Sequence, residues 1–369
     1  MTNDLLYRVA IEMIPMVGSI TAKRLLAYCG CAEAVFKAKK ADLLRIPNIG
    51  EALAVAVLNQ DILRKAEQEL VFMQKNNIKA LFYTDDDYPQ NLKQCEDSPI
   101  ILFQKGDIDL SKHRFISIVG TRNATAYGSG LCDKLIALIV ERGYNPVIVS
   151  GLAYGIDVCA HKAAMKYGLK TVAIVGTGLD MVYPAAHRAI AKQITEEGAV
   201  LSDFPSNTLI DRKNFIRRNR IVSGISEVTI VVESGEKGGA MVTADIAASY
   251  NRDVLAFPGR VGDEFSAGCN KLIKANIAAM IESIEDLEAA MGWDSPSEKL
   301  TTKQLPLFDL LTADEMCIVN VLKENDSEMI DIIAHKTGLP MAKLSALLLN
   351  LEFSGYVKAL PGKAYALRR

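Results

Sequence analysis

The amino-acid sequence predicts an α/β protein with a parallel sheet covered by helices on both faces. Short apolar runs recur along its middle part, and helical stretches separate most of them: 116–119, 147–149, 171–175, 199–204, 228–232 and 253–257. Near-continuous apolar strands that alternate with helices are typical of a parallel sheet buried on both faces. We therefore expect a Rossmann-like domain over residues 114–293.

The amino-terminal segment, residues 1–76, has apolar residues at three- and four-residue spacing, which predicts a helical domain. Residues 14–18 and 46–50 share one pattern, in which an apolar residue, a proline and a later glycine precede a helix start. This pattern resembles the helix-hairpin-helix (SAM-like) turn, which presents backbone N–H groups to a phosphate. Met16 and Asn48 replace the earlier glycine of the usual pair, so we expect packing ahead of DNA contact.

Residues 77–113 carry the acidic run Asp85–Asp87 and the Ser98-Pro99 pair, which predict an irregular connector with a solvated loop. On the other side of the sheet domain, residues 294–308 are polar and contain proline and serine, as is typical of a linker.

Residues 309–369 predict a winged-helix domain. Three helices, expected at 312–323, 329–336 and 341–354, precede a hairpin that turns at Pro361-Gly362. The third helix is apolar, and Lys343 is its only obvious basic residue for contacting DNA bases. The sequence therefore allows both contact with a protein and docking in a DNA major groove.

The composition excludes several classes of protein. The chain of 369 residues has a formal net charge of −2, so any attraction to nucleic acid must come from a local basic patch. Its seven cysteines form no C-x-x-C pair, which argues against a zinc ribbon and a disulfide framework. The first residues lack the order of a signal peptide, and no apolar run reaches the roughly 18 residues of a membrane span. We expect a cytoplasmic protein that does not contact membranes.

Glycine-ended strands predict an anion site. Gly120, Thr121 and Arg122 follow one predicted strand, and Ser150 and Gly151 follow the next. Ligands of open parallel sheets gather at the carboxyl ends of strands, where helix N-termini and a bidentate guanidinium suit phosphate. The alternative for Arg122 is a structural pair with a carboxylate.

A basic run with one aromatic residue lies between Asp211 and Ile221. It contains Arg212, Lys213, Asn214, Phe215, Arg217, Arg218, Asn219 and Arg220. Phe215 could stack on a base, a contact that contributes about 1–3 kcal/mol in single-strand sites. The alternative is a helix whose arginines form internal ion pairs, and Arg220, directly before an apolar pair, is expected to face inward at least in part.

Two further glycine loops lie in the predicted sheet domain. The loop at Gly238 and Gly239 can join the anion site or be a plain connector. The segment that starts at Gly176 begins like a dinucleotide fingerprint, but Met181 occupies the position of the third glycine, and no P-loop is present. We expect no cofactor, no metal and no catalytic residue, since the sequence shows no nucleophile set or carboxylate pair at a readable spacing.

Seven ordered motifs resemble the DNA processing protein A (DprA or Smf) family over about residues 80–290. They are V-G-T-R (119–122), S-G-x-A-x-G-I-D-x-x-A-H (150–161), G-x-G-L-D-x-x-Y-P (176–184), F-x-x-R-N-R-I (215–221), G-G-A-x-x-T-A (238–244), R-x-V-x-A-x-P-G (252–259) and G-x-N-x-L-I (268–273). The flanking helix-hairpin-helix-like and winged-helix segments are similar to those of the family's longer members.

This resemblance implies a non-enzymatic protein that binds single-stranded DNA and loads the RecA recombinase during natural transformation or homologous recombination. It also implies competition with single-strand binding protein and a homodimer. The implied DNA contacts are Gly120, Thr121, Arg122, Ser150, Gly151, Lys213, Asn214, Phe215, Arg217, Arg218, Asn219, Gly238 and Gly239. Ile216 and Gly238 depart from the family's commoner proline and serine, which removes one hydroxyl contact to phosphate.

Two other functions remain open from the sequence. A nucleoside-monophosphate phosphoribohydrolase would use a similar glycine-rich cradle with a catalytic carboxylate, for which Asp157 or Glu233 could be proposed. The basic aromatic run argues against so small a substrate. A pure interaction scaffold would instead bind through its terminal domains, and its isolated central domain would not bind DNA.

Overall fold

The computed structural model describes residues 3–293, 311–324, 327–354, 356–360 and 364–367. The chain divides into two units, Met1–Ser295 and Pro296–Arg369. The predicted linker at 294–308 lies outside the described residues. None of the described helices is both long enough and apolar enough to cross a membrane.

The first unit begins with six helices: α1 (Asn3–Glu12), α2 (Ser19–Cys29), α3 (Ala32–Lys37), α4 (Lys40–Leu43), α5 (Glu51–Val57) and α6 (Asp61–Lys75). The two predicted hairpin turns precede α2 and α5. Met16 and Asn48 adopt φ values of 64° and 65°, in the left-handed region that favours glycine. Because Gly18 and Gly50 also share one extended conformation, the hairpin scaffold is kept although the earlier glycine is replaced.

A nine-stranded sheet follows, and all six predicted strands lie in it. Its strands are β1 (Ile78–Phe82), β2 (Ile101–Lys105), β3 (Phe115–Val119), β4 (Val147–Ser150), β5 (Thr171–Ile174), β6 (Ala199–Ser202), β7 (Val228–Val231), β8 (Asp253–Ala256) and β9 (Ala279–Met280). Their spatial order is β1-β2-β6-β5-β4-β3-β7-β8-β9. The strands from β6 to β9 in this order pair in parallel.

Helices cover both faces of the sheet, which confirms the predicted α/β class. They are α7 (Gln90–Lys93), α8 (Ala126–Glu141), α9 (Ile156–Lys166), α10 (Arg188–Glu197), α11 (Arg212–Ile225), α12 (Gly239–Ser249), α13 (Ala267–Lys274) and α14 (Ile284–Met291), with a 3-10 turn at Ala185–His187. Ile116 and Ile118 of β3 pack with α8 and α9, whereas Phe115 and Val119 pack with α11 and α12. Alternate side chains therefore enter two cores, which is why the strands are largely apolar on both sides.

The prediction of an irregular connector at 77–113 is wrong. β1 and β2 form an antiparallel pair, and Phe103 of β2 pairs with Ser202 of β6, so this segment extends the sheet. The apolar runs of both strands are short, and the segment between them is rich in acidic residues and proline, which is the pattern of a loop. Asp85 is not simply solvated, because its carboxylate accepts a hydrogen bond from Arg8 at 2.8 Å.

The sheet reverses its winding at β3. Strands β4, β5 and β6 follow on one side of β3, and β7, β8 and β9 follow on the other. In open parallel sheets, such a switch point leaves a crevice beyond the carboxyl ends of the strands, where ligands bind. The loops after β3 and β7 border this crevice.

The second unit has the helices and hairpin that were predicted for a winged helix. Its elements are α15 (Ala313–Glu324), β10 (Glu328–Met329), α16 (Ile330–Thr337), α17 (Met341–Phe353), β11 (Val357–Leu360) and β12 (Ala364–Leu367). β11 and β12 are antiparallel, and the predicted turn at Pro361-Gly362 lies outside the described residues. The Lys343 ammonium lies 2.6 Å from the carboxylate of Asp314, so the one basic residue of α17 is already paired.

Candidate nucleic-acid interface

The loop after β3 forms one wall of the crevice. A Cβ on Gly120 would lie 2.5 Å from the Ile156 side chain and 2.8 Å from the Glu233 carbonyl, so only glycine fits there. The Thr121 N–H donates to that Glu233 carbonyl at 2.7 Å, and the Thr121 hydroxyl accepts from the Asn123 N–H at 3.2 Å, so only the hydroxyl proton of Thr121 is left for a ligand. Arg122 is exposed and forms no ion pair with any residue that the structure describes.

Glu233, at the end of β7, is part of this scaffold. Its carboxylate accepts hydrogen bonds from the Thr125 N–H at 3.0 Å and from the Thr125 hydroxyl at 2.5 Å. A Cβ on Gly128 would lie 2.0 Å from the same carboxylate, so a glycine is required in the first turn of α8. Glu233 is 5% exposed, and its oxygens fix the start of α8 rather than face a substrate.

Two predicted contacts after β4 lie beneath the surface. Ser150 is fully buried, and its hydroxyl donates to the Ile118 carbonyl at 2.6 Å. Gly151 is also buried, and a Cβ there would lie 1.8 Å from the guanidinium of Arg218. Burial therefore contradicts the expectation that Ser150 and Gly151 hold a phosphate. They make room for an internal arginine instead.

Arg218 is that arginine. It is 5% exposed, and its guanidinium donates to the Ile174 carbonyl at the end of β5 at 2.7 Å. Burial raises the pKa of nearby Asp157, and the positive charge of Arg218 opposes that rise. This position contradicts the expectation that Arg218 lines a DNA strand.

Asp157 and His161, one helical turn apart on α9, have different hydrogen-bond partners. An oxygen of Asp157 accepts from the Ala153 N–H at 3.4 Å, whereas His161 Nδ1 contacts the Thr171 hydroxyl at 2.7 Å. Burial lowers the pKa of His161 to about 3, so the imidazole is neutral. Both carboxylates proposed for a hydrolase, Asp157 and Glu233, are thus buried and engaged in the scaffold.

The first turn of α11 faces solvent beyond the carboxyl end of β5. The Asp211 carboxylate caps the helix by accepting from the Lys213 N–H at 2.8 Å. Arg212 and Lys213 are exposed, and neither forms an ion pair with another described residue. Gly176 allows this turn to lie close to the end of β5, because a Cβ there would lie 2.9 Å from the Phe215 ring.

Phe215 is half-buried, and its ring centroid lies 5.3 Å from that of Tyr183 at an interplanar angle of 41°. Tyr183 is exposed and was not among the predicted contacts. Its place in the motif after β5 was the available signal, because a tyrosine beyond the carboxyl end of a strand faces the same edge of the sheet as Arg122.

Arg217 and Arg220, farther along α11, are held by carboxylates. The Arg217 guanidinium lies 2.9 Å from Glu12 of α1 and 3.3 Å from Asp203, and 39% of its side chain stays exposed. Arg220 contacts Asp203 at 2.7 Å and also donates to the Asp97 carbonyl. The expectation that Arg220 faces inward agrees with this arrangement, while Arg217 offers only part of its charge to a ligand.

The remaining predicted contacts lie around the start of α12. Gly238 and Gly239 are exposed, and Gly239 begins the helix. The Asn219 amide donates to the Gly239 carbonyl at 3.3 Å, which ties α11 to this loop. The Asn214 amide donates to the Leu209 carbonyl at 3.1 Å and braces the loop before α11. The crevice thus combines exposed cations, a glycine loop and an aromatic pair, a chemistry suited to an unpaired polyanion.

Comparison with protein families matches residues 79–292 to DNA recombination-mediator protein A and residues 296–363 to the DprA winged helix domain. Protein Smf of Synechocystis sp. is 32% identical over 98% of this chain and 98% of its own length. DNA processing protein DprA of Bacillus subtilis is 39% identical over 60% of this chain and 74% of its own length.

Two solved structures extend this likeness. DNA processing protein A from Streptococcus pneumoniae covers 78% of this chain and 98% of its own, with a TM-score of 0.63 and 29% identity. The Helicobacter pylori protein of the same name covers 59% and 97%, with a TM-score of 0.53 and 27% identity. Because the family match spans more than half of the chain, this protein belongs to the DNA recombination-mediator protein A (DprA/Smf) family.

Proposed function

We propose that this chain is a single-stranded DNA-binding recombination mediator. The observation that carries the proposal is that Arg122 and Lys213 are exposed and form no ion pair with any described residue, while the half-buried ring of Phe215 also lies beyond the carboxyl edge of the parallel sheet. Cations hold phosphates and an aromatic ring stacks an unpaired base, which is how proteins bind single strands without reading their sequence. DNA processing protein A of Helicobacter pylori has a single-stranded DNA binding mode, which supports the proposal.

The strand follows the crevice along the sheet edge. Arg122, with the Thr121 hydroxyl and the Gly120 loop, holds one phosphate, and the exposed start of α12 at Gly238–Gly239 faces another. Lys213 neutralises a phosphate next to the base that stacks on Phe215.

In the cell, the bound protein loads RecA onto DNA in competition with single-strand binding protein, and it acts in the cytoplasm as a homodimer. The basis for proposing RecA, single-strand binding protein and a second copy of the chain as partners is the family resemblance. The protein carries out this role without catalysis, and the engaged carboxylates of Asp157 and Glu233 support this view. Release of free base from nucleoside monophosphates would contradict it.

The DNA-binding step is tested by salt titration. Anisotropy of a labelled single-stranded oligonucleotide, measured from about 50 to 200 mM NaCl, should show log Kd rising linearly with log salt, since each phosphate contact releases counterions with a slope of about 0.7. A Kd that does not change with salt concentration would contradict the proposal. Binding by a fragment that ends at Trp293 would argue against a scaffold that binds DNA only through its winged-helix domain.

The mediator step needs its own assay. RecA filament formation on DNA coated with single-strand binding protein should be faster with this protein than without it. Equal rates would restrict the function to DNA binding.

A further inference from the structure

Few aromatic side chains of this protein are exposed, and their positions are not scattered. Among the residues that the structure describes, four aromatic side chains are classed as exposed: Tyr28 (61%), Tyr127 (58%), Tyr154 (50%) and Tyr183 (47%). Tyr28 lies on α2, far along the chain from the crevice. The other three each follow one of three neighbouring strands of the sheet.

The order of these residues follows the order of the strands. Tyr183 comes after β5, Tyr154 comes after β4, and Tyr127 lies in the first turn of α8, after β3. Phe215, in the first turn of α11, comes after β6. Because β6, β5, β4 and β3 are adjacent and parallel, all four aromatic residues lie beyond the same edge of the sheet.

Contacts within the scaffold hold the middle of this row. The ring of Tyr183 lies against Phe215 at 5.3 Å, and the ring of Tyr154 lies edge-on to His187 at 4.9 Å and 67°. His187 is buried, and its Nδ1 lies 2.8 Å from the Leu152 carbonyl, which ties the loop after β5 to the loop after β4. The two tyrosine rings are therefore supported on one side and open to solvent on the other.

We propose that Tyr127, Tyr154 and Tyr183 continue from Phe215 as a row of platforms that stack successive bases of single-stranded DNA. This inference rests on the proposed function and adds the subsites for the bases. Every base has a π-face, so such a row holds any sequence, whereas the bases of a duplex are already stacked on one another. The row thereby selects single strands over duplexes, which contacts to phosphates alone do not do.

The test compares two oligonucleotides of equal length and charge, one with normal bases and one with abasic sites in its central positions. Tyr183→Ala and Tyr154→Ala in the full-length protein should each weaken binding to the normal strand about fivefold or more. They should leave binding to the abasic strand unchanged. Tyr183→Phe and Tyr154→Phe keep the ring and should bind like the wild type. Tyr28→Ala is the matched control, because it removes an equally exposed tyrosine outside the row.

Each other outcome has a defined meaning. If the tyrosine-to-alanine variants bind normal DNA as Tyr28→Ala does, the row is not a base platform, while salt-dependent binding by the wild type would still support the proposed function. If they weaken abasic and normal strands equally, the tyrosines act on the backbone or the fold, and the inference is overturned. If the wild type binds neither oligonucleotide, the proposed function fails and the inference fails with it.

Discussion

The two halves of α11 carry the same kind of side chain and use it in opposite ways. In the first turn, Arg212 and Lys213 are exposed and form no ion pair with the described residues. In the following turns, Arg217, Arg218 and Arg220 contact carboxylates or a backbone carbonyl. Each residue turns about 100° around the helix, so neighbours in one basic run face different surroundings. Basicity along a sequence therefore does not locate a binding surface by itself.

The second half of α11 connects parts of the fold. Asp203, fully buried after β6, contacts both Arg217 and Arg220, and Glu12 at the end of α1 contacts Arg217. These arginines join the helical segment to the sheet. The first half is left for a ligand, which divides α11 into an anchoring part and a binding part.

Arg220→Ala should have the largest effect, and the effect should be on stability. Asp203 is fully buried and the Arg220 side chain is 10% exposed, so the substitution strips a buried carboxylate of one partner. Breaking such a pair costs about 3–5 kcal/mol. Trp293 is the only tryptophan and lies in the first unit, so its fluorescence during urea unfolding reports on this unit.

Lys134→Ala is a matched control for that measurement, because it removes an exposed cation from α8. Its unfolding midpoint should equal that of the wild type. If Arg220→Ala is as stable as the wild type but binds DNA more weakly, Arg220 belongs to the binding part of α11 and the division of this helix is wrong.

Glu12 should make the anchoring part sensitive to pH. Burial, with the charge of Asp203, raises the pKa of Glu12 from 4.5 to about 7. The folded state then binds this proton more tightly than the unfolded state. Protonation of Glu12 therefore adds to the free energy of unfolding below about pH 4.5, and this contribution is lost as pH rises through about 7.

Glu12→Gln should remove this part of the pH dependence, which amounts to at most about 3 kcal/mol. Urea unfolding at several pH values between about 4.5 and 8 measures it. Parallel stability curves for the variant and the wild type would mean that Glu12 titrates normally in the fold.

The contrast within α11 also explains what the sequence could and could not predict. The strands were predictable because a sheet buried on both faces favours apolar residues on both sides of each strand, as in Ile116–Val119, where only Ser117 is polar. The role of Arg217 was not predictable from the sequence, because its partner Glu12 lies 205 residues away along the chain. The tyrosine row was not predictable for a related reason, because the sequence alone does not give the order of the strands that brings these tyrosines together.

Arg122→Ala should weaken single-stranded DNA binding more than the loss of any one cation of α11 that leaves the fold intact. An exposed arginine at a phosphate makes charge-assisted hydrogen bonds, and its loss should cost about 1–2 kcal/mol of binding free energy. Arg122→Lys keeps the charge but not the bidentate geometry, so it should recover part of the affinity. Anisotropy with a labelled oligonucleotide measures both variants. Wild-type affinity in Arg122→Ala would remove this residue from the site.

The smallest expected effects are changes in the salt dependence of DNA binding, and they compare the two halves of α11 directly. Lys213→Ala removes an unpaired cation, so the slope of log Kd against log salt should fall by about 0.7, as expected for one lost phosphate contact on a single strand. Arg217→Ala removes a cation that Glu12 and Asp203 already hold, so its slope should fall by less. Salt titrations of the two variants beside the wild type make this comparison. An equal loss of slope would mean that Arg217 leaves its carboxylates for the DNA, and that the boundary between the binding and anchoring parts of α11 moves when a strand is bound.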